Sequence, residues 1–250
     1  MLEFKNVTVG YGKRPPVLQS IGFTAGAGEI TVLLGQNGCG KSTLLRAAMQ
    51  EIPYTGQIFS DEGSLSTMPP AQRAKCISLL PQHLPAPAVS VREAVALGLA
   101  PWVTRPGEAE WQKVDQRVAE LGLSSLADRP VNTLSGGERQ KVFLAMLLTQ
   151  DTPILLLDEP TTYMDLSFVA RFFDILKKER ARGKTFLLVM HDVSDALWLA
   201  DRVVVLAKGA LAFCGTPHEA LEQCIPEKQF GLTRYTAQRG EKTAYFFRAT

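Results

Sequence analysis

The 250-residue chain is 46% hydrophobic and 21% charged, which is typical of one large folded domain or of a core with one insert. Its formal net charge of +2 is too small to indicate binding to nucleic acid or to an anionic membrane surface. No run of about 18 apolar residues predicts a membrane span, no signal peptide is recognised, and four scattered cysteines indicate reduced thiols, so we expect a cytoplasmic protein.

The first predicted elements are strands, a glycine-rich loop and a helix. Apolar residues nearly alternate with polar ones at the start of the chain, which predicts strands around Leu2, Phe4, Val7 and Val9. The segment GEITVLL then predicts a buried strand. After the loop, a helix is predicted to begin near Lys41.

The glycine-rich loop has the form of a phosphate-binding loop, Gly35-x-x-x-x-Gly40-Lys41-Ser42. Its glycines allow successive N–H groups to point at phosphate oxygens, and the following helix adds its positive N-terminus. Lys41 would place a charge at the β- and γ-phosphates, and the Ser42 hydroxyl is a ligand for Mg²⁺. A chance glycine-rich turn is the alternative, but the position between a strand and a helix favours a nucleotide site. The candidate nucleotide-binding residues are Gly35, Gln36, Asn37, Gly38, Cys39, Gly40, Lys41, Ser42 and Thr43.

The chain becomes helical in character from Val91 to about Leu126. Apolar residues recur there at spacings of three and four, at positions Trp111, Val114, Val118 and Leu121. We therefore predict a helical insert in a nucleotide-binding core. The predicted core comprises residues 1–90 and 150–250, and the predicted helical subdomain covers approximately residues 91–149.

The segment LSGGERQK places Ser135, Gly136 and Gly137 at a predicted helix start. Backbone N–H groups at such a start form a phosphate-binding surface, although a capped helix entry is a sufficient local explanation. One chain has one triphosphate site, yet this sequence offers two phosphate-binding surfaces. A homodimer in which residues 135–137 of one copy close on the nucleotide of the other accounts for both.

The segment ILLLDEP predicts a buried strand that ends in two carboxylates. Asp158 would lie beside the phosphate loop and hold Mg²⁺ through water, and Glu159 would orient or deprotonate an attacking water. A helix cap or a turn is the alternative for such an acidic pair. Phosphoryl transfer needs mainly positioning and charge neutralisation, so this sparse set is sufficient for a hydrolytic site.

Strands and helices alternate in the remainder of the chain. An amphipathic helix is predicted after Asp165, a buried strand in KTFLLVMHD, and a hairpin in RVVVLAKGALAFCG that turns at Lys208–Gly209. The alternation predicts an α/β fold with a mostly parallel sheet covered on both faces. The polar tail from Phe230 to Thr250 gives no indication of chemistry.

Taken together, these motifs resemble the ATPase subunit of an ABC transporter. The phosphate loop, LSGGE, LLLDEP and a histidine after the next strand occur in that family's order, and the resemblance covers nearly the whole chain. The resemblance implies a P-loop NTPase core of the ABC ATPase type with an N-terminal antiparallel β subdomain and a helical insert. It also implies that a homodimer binds ATP and Mg²⁺ and drives a membrane permease.

The resemblance assigns roles to four further residues. Tyr11 matches the aromatic residue that stacks on adenine, and packing at the core or a sheet edge is its alternative. Gln82 matches the glutamine that reaches Mg²⁺ and water, where a solvated loop residue would otherwise be expected. Asp165 matches an aspartate at the dimer interface, although N-capping also explains it. His191 matches the switch histidine that contacts the γ-phosphate, with a structural hydrogen bond as the alternative.

The segments ISLLPQHLPAPAVSVREAVALGLAPW and LLLDEPTTYMDL resemble importer ATPases for iron chelates such as ferric siderophores, for haem and for cobalamin. This resemblance implies that permease subunits dock near residues 82–105, that a solute-binding protein acts indirectly, and that nucleic acid is not a partner. It places the chain peripherally on the cytoplasmic face of a bacterial inner membrane. Gln36, where proline is common, and Glu138, where glutamine is frequent, depart from the family pattern.

Two other functions share part of these features. A permease-free ABC-type ATPase, for example in iron–sulfur cluster assembly, would have the same motifs, but the apolar segment after Gln82 argues against it. A kinase or GTPase would share the phosphate loop but would need neither LSGGE nor a dimer. Cys39 within the loop is either an oxidation-sensitive thiol or a tolerated small residue. His83 and His218 match no motif.

Overall fold

The computed structural model describes residues 1–12, 15–239 and 242–249, so Thr250 of the tail lies outside the described residues. Within these ranges no helix has both the length and the apolar character needed to cross a bilayer. The strands are β1 Leu2–Val9, β2 Leu18–Ala25, β3 Ile30–Gly35, β4 Thr55–Ser60, β5 Gly63–Ser64, β6 Ile77–Leu80, β7 Ile154–Asp158, β8 Thr185–Val189, β9 Arg202–Ala207, β10 Ala210–Gly215, β11 Leu232–Arg239 and β12 Lys242–Ala249. The α-helices are α1 Lys41–Ala48, α2 Pro70–Cys76, α3 Val91–Ala96, α4 Glu108–Glu120, α5 Gly136–Gln150, α6 Leu166–Ala181, α7 Val193–Leu199, α8 Pro217–Glu222 and α9 Ile225–Phe230.

Two sheets of different strand direction organise the core. The central sheet has the order β10-β9-β3-β8-β7-β6, and its strands pair in parallel except for the antiparallel β9–β10 hairpin. The N-terminal sheet has the order β2-β1-β4-β5 and is antiparallel. The predicted α/β fold with an N-terminal antiparallel β subdomain is therefore confirmed.

The central strands are buried on both faces, as their unbroken aliphatic sequences predict. In β7 the alternate residues Leu155 and Leu157 pack into a cluster with the helices of the insert. Ile154 and Leu156 point to the other face and join a cluster with the N-terminal sheet and α1. The sheet thus separates two apolar layers, and it presents the ends of its parallel strands at one common edge.

The predicted helical subdomain, residues 91–149, includes α3, α4 and all of α5 except its last residue. Val114, Val118 and Leu121 are buried, as their spacing predicts. The boundaries at residues 91 and 149 stay predictions. Arg117 of α4 links the insert to α6 of the core, because its guanidinium lies 3.0 Å from Glu179. The same guanidinium lies 2.6 Å from Glu120, which is in α4 itself.

Glu179 is a buried carboxylate, and we expect it to contribute strongly to stability. Only 4% of its side chain is exposed, and Arg182 lies 3.0 Å from the same carboxylate oxygen that Arg117 contacts. Glu179→Ala removes a buried counter-charge of Arg117, so we expect urea denaturation to show a loss of about 3 kcal/mol. Asp115→Ala is the control because its pair with Arg92 is exposed, and it should cost less than about 1 kcal/mol. Equal losses in the two variants would contradict this ranking.

Two hairpins follow α7 in the chain, β9–β10 and β11–β12, and only the first was predicted from the sequence. The β9–β10 turn lies at Lys208–Gly209, where both residues have positive φ values of 50° and 77°, as a tight hairpin requires. The tail, to which the sequence assigned no chemistry, forms the antiparallel hairpin β11–β12. Leu232 pairs with Ala249 at its open end, and Arg239 pairs with Lys242 next to the turn. This second hairpin packs on α7, where the Phe247 N–H donates to the Ser194 hydroxyl at 3.3 Å.

Candidate functional site

The glycine-rich loop connects the end of β3 to the start of α1 at the edge of the central sheet. Gly38 and Gly40 adopt φ values of 78° and 104°, in the left-handed region that side chains disfavour. A Cβ atom at Gly40 would also lie 2.5 Å from the Leu18 side chain. The loop conformation therefore requires glycine at position 40, and α1 begins directly after it, at Lys41.

Lys41 is the first residue of α1, and it is 6% exposed. Its ammonium group donates to the carbonyl oxygens of Gly35 at 2.7 Å and Gln36 at 3.1 Å. These bonds fold the side chain back over the loop, so its charge stands at the N-terminal end of α1. A phosphate in the loop would meet this charge together with the N–H groups of the helix start.

Asp158 and Ser42 form the candidate metal position. Burial raises the pKa of Asp158, while a hydrogen bond with Ser42 opposes this shift. Asp158 Oδ1 is buried and has no hydrogen-bond partner among the described residues. A buried carboxylate oxygen without a partner beside a hydroxyl fits a hard cation such as Mg²⁺. The described residues contain no cluster of three His, Cys, Asp or Glu suited to a metal.

Glu159 is held between two side chains from neighbouring strand ends. Gln82 donates to Oε2 at 2.7 Å, and His191 Nε2 lies 2.5 Å from Oε1. The Glu159 backbone has a φ of 52°, and its N–H donates to the Val189 carbonyl. Gln82, Glu159 and His191 were all predicted from the sequence to be site residues, and they are in contact in the structure.

A cavity of about 380 Å³ lies between the loop and these three residues. Its lining residues are Val17, Asn37, Gly38, Gly40, Lys41, Ser42, Thr43, Gln82, Glu159 and His191. Val17 was not predicted, since a valine in a polar loop before β2 carries no phosphate-binding signal. Tyr11 stands at the rim, 44% exposed, with its hydroxyl 3.5 Å from Thr43 Oγ1.

Ser135, Gly136, Gly137 and Asp165 lie apart from this cavity, since none of the four is among the described residues that line it. Ser135 caps α5 through a capping box, in which its hydroxyl accepts from the Glu138 N–H at 3.3 Å. Asp165 caps α6 and accepts from the Phe168 N–H at 2.8 Å. The capping that the sequence offered as the alternative for Ser135 and for Asp165 is therefore present at both helices. Capping of their own helix does not conflict with a contact to a second copy. Cys39 is buried and packs against Gly35, where a Cβ atom would lie 2.5 Å from its Sγ.

Comparison with known proteins places the chain in a family. A family model described as ABC transporter matches residues 18–162, which is more than half of the sequence. The chain belongs to the ABC transporter family. The resemblance predicted from the motifs is confirmed, and the chain is an ATPase of this family that binds and hydrolyses ATP.

Relatives of similar length support this assignment. The chain is 35% identical to the achromobactin transport ATP-binding protein CbrD of Dickeya dadantii (strain 3937), over 91% of this chain and 87% of the relative. It is 35% identical to the ferric enterobactin transport ATP-binding protein FepC of Escherichia coli (strain K12), over 92% and 87%. It is 37% identical to the hemin import ATP-binding protein HmuV of Shewanella denitrificans, over 88% and 89%.

Solved ABC structures share the fold. The inward-facing structure of a transporter described as being of the metal-chelate type matches with a TM-score of 0.82 at 26% identity, covering 99% of this chain and 96% of that chain. The dimeric post-hydrolysis structure of the cassette MJ0796, bound to ADP and Pi, matches with a TM-score of 0.80 at 25% identity, covering 87% and 99%. The dimeric relative supports a homodimer of this ABC ATPase.

Proposed function

We propose that this ABC ATPase is the energy-converting subunit of a bacterial importer for an iron chelate such as a ferric siderophore, or for a related chelate such as haem or cobalamin. The observation that carries the ATPase mechanism is the Glu159 carboxylate, held by Gln82 and His191 at the edge of the cavity beside the phosphate loop. The relatives that transport achromobactin, ferric enterobactin and hemin support the class of solute.

In this proposal the phosphate loop binds the triphosphate of ATP. Lys41 would exchange its bonds to the Gly35 and Gln36 carbonyls for β- and γ-phosphate oxygens, because a charged acceptor forms the stronger hydrogen bond. The N–H groups from Gly38 to Thr43 surround the same phosphates. Tyr11, exposed at the rim, would stack on the adenine ring.

Ser42 and Asp158 would hold Mg²⁺, with Gln82 as a further ligand in the nucleotide-bound state. The partnerless Oδ1 of Asp158 supports this assignment, because a buried carboxylate oxygen needs a cation or a donor. When bound, Mg²⁺ neutralises charge on the phosphate oxygens. In the structure Gln82 donates to Glu159, so its amide would have to leave that carboxylate to serve as a ligand.

Glu159 would accept the proton of the attacking water. Its two oxygens are occupied by Gln82 and His191, so one of these contacts must open for a water to reach it. His191 faces the same cavity as Lys41 and would hold the γ-phosphate. In this arrangement Glu159 becomes free to act as the base only when nucleotide and water bind and one of its two contacts opens. The same residues supply the positioning that phosphoryl transfer requires.

Closure of the dimer would complete each site. Ser135, Gly136 and Gly137 are outside the cavity of their own chain, and Ser135 and Gly136 are exposed, so a second copy could place them on its nucleotide. Asp165, exposed at the start of α6, would lie at the same interface. Binding of ATP would close the homodimer and hydrolysis would open it.

Permease docking near residues 82–105 is supported by apolar side chains exposed in that segment. Leu97 is 60% exposed and Trp102 is 47% exposed. Large exposed apolar groups close together are typical of an interaction surface. The segment begins at Gln82, which touches Glu159, so a movement of the docked permease would reach the hydrolytic site directly.

A pull-down from detergent-solubilised membranes tests the transport function. Glu159→Gln protein with ATP should retain a polytopic permease in about equal amount, which is then assayed for iron-chelate, haem or cobalamin uptake. Trp102→Ala in the same background should lose most of the permease, because an aromatic anchor contributes strongly to such an interface. Trp198→Ala is the control, since that tryptophan is also exposed and also lies under a lysine, but on α7. Recovery of only soluble proteins, or equal losses in both variants, would refute docking at residues 82–105.

A further inference from the structure

The start of α5 is fixed to the loop that follows Glu159 in the same chain. The Gln140 side-chain amide donates to the Pro160 carbonyl at 3.2 Å. Gln140 is 3% exposed, and Pro160 is also buried. A buried carbonyl that loses its donor pays the full cost of desolvation, so this bond constrains the position of both segments.

Two further contacts join the same two segments, and a third reaches the first turn of α6. A Cβ atom at Gly137 would lie 2.6 Å from the Tyr163 carbonyl oxygen, so the two backbones are in close contact there. The Lys141 ammonium group lies 3.8 Å from Asp165 and 4.2 Å from the Phe168 ring centroid. The first two turns of α5 and residues 159–165 therefore form one packed unit, which we call the α5–loop unit.

The α5–loop unit carries residues that belong to two different nucleotide sites of the proposed dimer. Its loop begins with Glu159, which faces the cavity of its own chain. Its helix begins at residues 135–137, which would close on the nucleotide of the second copy. A displacement of Glu159 in one site would thus be carried to the motif that completes the other site.

We propose that Gln140 is a positioning residue that couples the two ATP sites of the homodimer by holding residues 135–137 and residues 159–165 of one chain together. This inference rests on the proposed function, in particular on the shared site. Glu159 has a positive φ of 52°, a backbone conformation that persists only where neighbouring contacts hold it. The bond from Gln140 to the next carbonyl is such a contact, and it comes from the helix whose start faces the partner.

ATP-induced dimerisation of the full chain provides the test. In a Glu159→Gln background, Gln140→Met keeps the length of the side chain but removes the amide donor. We expect the ATP concentration for half-maximal dimerisation, measured by analytical ultracentrifugation, to rise about five- to tenfold, with the Hill coefficient falling from about 2 toward 1. Gln140→Asn, which keeps an amide but shortens its reach, should shift both quantities in the same direction and serves if the Met variant folds poorly.

Gln150→Met is a matched control on the same helix. Gln150 also donates from its side-chain amide to a backbone carbonyl of another helix, that of Ala74 at 2.8 Å, but it is half-buried and lies at the end of α5, far from residues 135–137. Each Met variant removes one amide donor from α5, and only Gln140→Met should change the ATP dependence. An identical ATP response in the two variants would show that Gln140 is merely structural. If the Glu159→Gln background itself forms no dimer with ATP, the shared site fails and the coupling with it.

Discussion

Glu159→Gln is expected to reduce the ATP turnover rate by about 10²–10⁴-fold while leaving ATP binding intact. An amide keeps the size of the carboxylate but cannot accept a proton from water. In the structure both carboxylate oxygens are already positioned, by Gln82 at 2.7 Å and by His191 at 2.5 Å, and a cavity of about 380 Å³ lies beside them. The same variant should accumulate as a dimer in ATP, seen by size exclusion, because closure no longer leads to hydrolysis.

The trapped dimer also tests the role of residues 135–137. Adding Ser135→Arg to Glu159→Gln should abolish the dimer but spare ATP binding to the monomer, because a long cationic side chain would block the surface that meets the partner's nucleotide. Ser135 does not line its own chain's cavity among the described residues, so its replacement leaves that pocket unchanged. Normal turnover in Glu159→Gln would remove Glu159 as the base. A dimer that survives Ser135→Arg would argue against the shared site.

Lys41→Ala is expected to weaken ATP binding itself, by about 10- to 100-fold, since a hydrogen bond to a charged group contributes about 1.5–3 kcal/mol. Lys41 lines the cavity beside the glycine-rich loop, where the proposed function places the phosphates. Equilibrium titration with a fluorescent ATP analogue measures this effect without any contribution from hydrolysis.

Lys184→Ala is the matched control for the lysine experiment. Its side chain is 14% exposed, and its ammonium group donates to the backbone carbonyls of Asp151 at 2.7 Å and Thr152 at 2.9 Å, much as Lys41 does to its own loop. Removing either lysine deletes two bonds to backbone carbonyls, and Lys184→Ala also removes a contact of 2.6 Å with the Asp151 carboxylate, so Lys184→Ala should lose at least as much thermal stability as Lys41→Ala. Only Lys41→Ala should reduce nucleotide affinity. Equal affinity in both variants would take Lys41 out of its phosphate role.

The sequence was sufficient to predict the local parts of the site. The phosphate loop between β3 and α1 follows from glycine and lysine spacing, and Asp158 follows from four aliphatics that must be buried. What spacing does not provide is strand order. Gln82, Glu159 and His191 meet because they follow β6, β7 and β8, which are neighbours in the sheet. Without that order, 77 residues separate Gln82 from Glu159, and only the family resemblance joined them.

Other features were beyond sequence reasoning for physical reasons. The β11–β12 hairpin was missed because its strands lie on the surface and show little of the apolar alternation that marks a half-buried strand. The bond from Gln140 to Pro160 depends on how α5 approaches the end of β7, a packing relation that a polar residue within LSGGERQK does not reveal. Ser135 and Asp165 illustrate the opposite case, because their capping geometry is local and residue type was enough to give it as the alternative explanation for both.

The self-contained bonding of Lys41 has a consequence for the kinetics of nucleotide exchange. The bonds from the Lys41 ammonium group to the carbonyls of Gly35 and Gln36 constrain the conformation of the loop. Rigid receptors of this kind lose little conformational entropy on binding, so the association rate should approach that of simple encounter. A difference in affinity between ATP and ADP would then come from their dissociation rates. The dissociation rate of the nucleotide, rather than its association rate, would limit the rate of the transport cycle.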